Sequence, residues 1–120
     1  VTYNLTIKKN AAGNWIVDPK DGPRTIAPGD EVEWVLDASP GATAHLQFFD
    51  DIFESSGSLN EHWACALQQT ETLSLTVASK ALPDPRVRRR SYGYAVMVID
   101  GAGAQYAFGN NPPPDLDVGN

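Results

Sequence analysis

Residues Ala27 to Asp37 read "APGDEVEWVLD", and this stretch decides the fold class. Pro28-Gly29-Asp30 is turn chemistry, with proline presetting one φ and glycine free to take a positive one. In the run that follows, Val32, Trp34 and Leu36 alternate with Glu31, Glu33 and Val35. That period of two belongs to a strand with one face toward a core and the other toward water.

The same period recurs in both directions. "VTYNLTIK" puts Tyr3, Leu5 and Ile7 on one face, and "NWIVDP" is a short strand that stops at Pro19. "KDGPRTIAPGD" holds two turns, and Ser39-Pro40-Gly41 leads into "AHLQFFDD", a strand-like run from Ala44 to Asp51 with His45 near its start. "TLSLTVA" aligns Leu73, Leu75 and Val77, "YGYAVMVID" is the most strand-like run of all, and "AQYAFG" predicts the last strand. Between these two, "DGAGAQ" predicts a hairpin turn with glycine at positive φ. About seven strands separated by turns predict an all-β sandwich.

Two segments depart from the pattern. "SLNEHWACALQQ" predicts a short helix over 58–69: Ser58 and Glu61 have capping-box spacing, and Leu59, Trp63 and Leu67 form a stripe at i, i+4 and i+8. In "NNPPPDLDVGN" three consecutive prolines cannot sit inside a sheet. Residues 111–120 are therefore expected as an extended tail that leaves a domain spanning 1–110.

Composition narrows the function. The chain has 120 residues and a net charge of −6, which argues against nucleic acid as the main partner. No apolar run reaches the roughly 18 residues of a membrane span, so no membrane insertion is expected, and no basic-then-apolar leader opens the sequence. Cys65 is the only cysteine, so no intrachain disulfide can form.

The order of parts resembles the cupredoxin family. "APGDEVEWVLD" is similar to that family's "P-G-D-x-V-x-W" strand, and the run from His45 through Phe49 and Asp50 is similar to its "H-x-V-x-F-D". "YGYAVMV" is similar to its Tyr-rich strand. The resemblance covers about Val1 to Phe108 and implies a Greek-key β-sandwich, with a secreted or periplasmic location slightly favoured. It does not bring the type 1 copper site with it. Such a site needs two imidazoles, a thiolate and usually a weak thioether. Here Val96 or its neighbours stand where the cysteine belongs, no cysteine or histidine follows Tyr92, and Met97 lies inside the strand.

Several residues remain candidates for chemistry. His45, His62 and Cys65 would make a zinc or copper site if the expected helix lies beside the His45 strand, with His62 and Cys65 on one side of it. The competing reading makes His45 a hydrogen-bonding residue of the sheet, His62 exposed and Cys65 packed. Cys65 with His62 lacks the oxyanion hole and oriented base of a hydrolase. Asp50, Asp51 and Glu54 match no calcium-loop consensus. Arg86, Arg88, Arg89 and Arg90 form a basic segment that is either a solvated edge or a dock for an acidic protein. Trp34 and Trp63 fall on core faces, whereas Trp15 is freer to stack on a sugar or a partner side chain.

These features together predict a copper-free, cupredoxin-like sandwich acting as a non-catalytic binding or assembly module, without a cofactor and with a protein partner or a second copy as partner. A metal-binding or metal-trafficking protein using His45, His62 and Cys65 is the alternative, and a small enzyme with an unrecognised site is the third.

Overall fold

The computed structural model describes residues 1–19, 25–37, 41–54, 65–69, 71–107 and 114–119. Within them lie β1 (Thr2–Lys9), β2 (Trp15–Asp18), β3 (Glu31–Leu36), β4 (Thr43–Phe48), β5 (Cys65–Gln68), β6 (Thr72–Thr76), a 3-10 turn (Ser79–Ala81), β7 (Arg89–Asp100), β8 (Gly103–Tyr106) and β9 (Asp115–Gly119). One sheet runs β2-β1-β3-β6 and the other β5-β4-β7-β8. β1 and β3 are parallel and the other strand pairs are antiparallel.

Alternation sorts the side chains as the sequence implies. Leu5 and Ile7 of β1, Val32, Trp34 and Leu36 of β3, and Leu46 and Phe48 of β4 all point inward and are buried. The "PGD" turn is closed by the Asp30 amide donating to the Ala27 carbonyl at 3.0 Å. Gly29 takes φ 96° there, a value that glycine reaches without Cβ strain.

Trp34 anchors the core. Its ring meets Phe48 at 5.4 Å, Tyr94 at 5.7 Å and Phe53 at 6.3 Å between centroids. Its indole Nε1–H donates to Tyr94 Oη at 3.1 Å, fully inside the protein. This bond joins β3 of one sheet to β7 of the other and gives the indole proton an acceptor where water cannot reach. Burial pushes the Tyr94 hydroxyl far above the ordinary phenol range, so it stays protonated.

The structure corrects three expectations. Nine strands replace about seven among the described residues. Cys65–Gln68, the end of the expected helix, is strand β5 paired with β4, while 58–64 lie outside the described residues. The segment after the prolines does not leave the fold: β9 pairs with the first half of β7, and Leu116 and Val118 are fully buried. β8 and β9 run along the same edge of β7. Ala107 donates to Val96 and Tyr94 donates to Pro114, so the same edge of β7 carries the ladder on either side of 108–113, which lie outside the described residues.

Two bridges close the seams between the sheets. Ile26 pairs with Val118 of β9, and Phe53 with Val77 just beyond β6.

Tyr94→Phe leaves the Trp34 indole N–H buried without its acceptor and is expected to cost about 1–3 kcal/mol in chemical denaturation. Leu116→Ala should cost about 2–5 kcal/mol if β9 is part of the core. A change within roughly 0.5 kcal/mol, as for an exposed tail residue, would contradict the placement of β9.

Candidate end-cleft site

The inward-facing rows of the two sheets run past the apolar core and end in charge. On β1 the row Tyr3, Leu5, Ile7 reaches Lys9; on β7 the row Tyr94, Val96, Val98 reaches Asp100. Both strands end at the same end of the sandwich, and Lys9 Nζ lies 3.9 Å from Asp100 Oδ2. Lysine from one sheet thus faces aspartate from the other, with the Lys9 side chain half exposed and that of Asp100 one-fifth exposed.

Local geometry holds each partner in place. Asn10 Oδ1 accepts the amides of Ala12 and Asn14 at 3.0 Å each, which shapes the β1–β2 turn, and Gly13 takes φ 83° within it. That turn sets Trp15 directly across the ladder from Lys9. The ammonium lies 5.2 Å from the Trp15 ring centroid, a cation–π contact. Across the opening, Asp100 Oδ1 accepts the Ala102 amide at 2.8 Å. This fixes the β7–β8 hairpin and leaves the second carboxylate oxygen facing Lys9. The hairpin forms as expected, with Gly103 at φ 120°.

Between these groups opens a cleft of about 970 Å³. Its other walls are Asp37 after β3, Gly41 and Ala42 before β4, Gln69 after β5, and Gly101 and Ala102 in the hairpin turn. Lys8 borders it, but its ammonium pairs with Asp18 at 3.1 Å. Such a volume is at the upper end of the roughly 300–1,000 Å³ of small-molecule sites. The lining supplies donors and acceptors of both charge signs, together with apolar surface from Trp15, Ala42 and Ala102.

The residues singled out in the sequence fall elsewhere or play other parts. Trp15 is 4% exposed and packs into the core with Lys9 over one face, so it is not the free platform its neighbours in sequence suggested. His45 is half-buried in β4, in phase with Thr43 and Gln47 and out of phase with the buried Ala44, Leu46 and Phe48. It therefore lies on the outer face of its sheet, between Ala66 and Met97 in the ladder. Cys65 sits one rung away, opposite Leu46, and His62 and Trp63 lie outside the described residues. Among the described residues no three His, Cys, Asp or Glu side chains gather as a metal site would require. The donor set of a type 1 copper centre does not fit either, since Val96 is a fully buried aliphatic residue and His45 faces away from the core.

The arginines occupy the far end of β7 from the cleft. Arg86 is tied to its own loop: its backbone amide and guanidinium both bond Asp84, holding that carboxyl below the usual range. Arg89 pairs with Asp117 of β9 at 2.7 Å. Arg88 and Arg90 are exposed. The segment is thus a loop running into a paired strand, in part committed to internal contacts.

Lys9 and Asp100 were overlooked in the sequence, although a signal was present. Each stands two residues beyond the last apolar residue of an inward row, where alternation still aims the side chain between the sheets. No known family model matches the chain, and no curated protein matches it in sequence.

Because Lys9 and Asp100 are partly open to water, their pairing is expected to add little stability. A double-mutant cycle of Lys9→Met and Asp100→Asn should give a coupling below about 1 kcal/mol that shrinks in high salt. Asparagine keeps the acceptor for Ala102, so the cycle isolates the charge pair. A coupling of several kcal/mol would show that the end is closed and dry.

Proposed function

We propose that the chain is a non-catalytic binding module on a copper-free, cupredoxin-like sandwich, with its ligand seated in the cleft between Lys9 and Asp100. The observation that carries this reading is the termination of two inward rows, one from each sheet, in opposite charges around an opening of ligand size. Both groups keep contact with water, Lys9 half exposed and Asp100 one-fifth exposed, so they can hold charge at the mouth of the cleft without the cost of full burial. The parallel β1–β3 pair and the two sheet orders support the Greek-key reading implied by the resemblance. Arg88 and Arg90, at the other end, suit an acidic protein partner and leave room for a role in assembly.

The test is a thermal-shift screen of small neutral, anionic and cationic compounds against the native chain and Ala102→Trp. Ala102 is exposed on the cleft wall, so tryptophan there fills the opening without entering the core. Binding at the cleft predicts compounds that raise Tm of the native chain and not of Ala102→Trp. Equal stabilisation of both, or none for either, counts against the cleft. Stoichiometric copper or zinc binding lost in His45→Ala would replace this reading with metal handling.

A further inference from the structure

Resting on the cleft as a binding site, we infer that its ligand is an uncharged, hydroxyl-rich molecule, namely a short oligosaccharide. The distance between Lys9 Nζ and Asp100 Oδ2, 3.9 Å, is too long for a direct hydrogen bond. It is short enough for one hydroxyl oxygen to sit about 2.8 Å from each group. A hydroxyl both donates and accepts, so its oxygen accepts a hydrogen bond from the Lys9 ammonium while its O–H donates one to the Asp100 carboxylate. Both signs line the cleft, so a ligand of one charge is attracted by one group and repelled by the next, whereas a hydroxyl bonds to either.

The rest of the lining extends the same chemistry. Asp37 accepts, the Gln69 amide does both, and the Gly41 and Gly101 stretches carry no side chain that would hold a ligand away from the backbone. Ala42 and Ala102, with the rim of Trp15, give a small apolar floor for the C–H face of a sugar ring. Lys9 over the Trp15 ring excludes full stacking on the indole, so recognition runs through hydroxyls rather than through an aromatic platform. A cleft of about 970 Å³ has room for more than one sugar unit.

Isothermal titration with cellobiose, maltotriose and chitobiose, beside digalacturonate and the deacetylated diamine of chitobiose, tests the inference. The expected result is binding of at least one neutral sugar, little changed between low and high salt and weakened about tenfold or more by both Asp100→Asn and Lys9→Met, with their native amide spectra retained. An acidic or amino sugar bound more than tenfold tighter than its neutral counterpart would overturn the ligand class and leave the cleft as the site. So would failure of every sugar alongside a non-sugar compound whose stabilisation Ala102→Trp abolishes. Failure of every sugar and of every compound in the screen would overturn the cleft reading as well.

Discussion

A β-sandwich shields an inward-facing side chain only where both sheets overlap, yet the alternation of a strand continues to its last residue. Everything notable in this protein follows from that mismatch. In the middle, the overlap is complete and the inward rows are aromatic and aliphatic, centred on Trp34 and its bond to Tyr94. At one end the rows outlast the overlap, and the residues that alternation still turns inward are Lys9 and Asp100. The same geometry that builds the core therefore builds the cleft.

The two regions divide the work. The Trp34–Tyr94 bond and the rings around it lock the sheets face to face, so a buried polar pair fixes how β3 and β7 meet. β9 and the Ile26 and Phe53 bridges then close the seams. With the frame held there, the Lys9–Asp100 end need contribute little to stability, and its groups are free to exchange one partner for another. Its fixed points are the Asn10 turn, which sets Trp15 across from Lys9, and the Asp100–Ala102 bond. Were the proposed ligand to bind there, such fixed points would lower the ordering cost.

Much of the frame was legible in the sequence because period two is a local property. Val32, Trp34 and Leu36, or Leu5 and Ile7, declare their face without knowledge of the partner strand. The helix expected over 58–69 shows the limit of the method. Leu59, Trp63 and Leu67 are spaced by four, a multiple of two, so the same stripe fits a strand; Leu67 is buried in β5 either way. The tail shows another limit: three prolines argue against a strand at 112–114, but Leu116 and Val118 resume the alternation immediately after. Pairing of β9 with β7 is a long-range contact that no local pattern announces.

The site was less legible than the fold. Histidines and cysteine attract notice by chemistry, but His45 falls on the outward phase of β4. Lys9 and Asp100 look like ordinary surface charges until the phase of their strands is followed to the end. Their meeting depends on how β1 and β7 align across the sandwich, which the sequence does not state.

The most direct measurement is an amide chemical-shift map of the ¹⁵N-labelled chain during separate titrations with cellobiose, maltotriose and chitobiose. With at least one of them, shifts are expected at Lys9, Asp37, Gly41, Ala42, Gln69, Gly101 and Ala102, with the Trp34 indole signal unmoved. Shifts centred on His45 and Met97 or on the arginine end, or no shifts with any of the three, would contradict a sugar seated in the cleft.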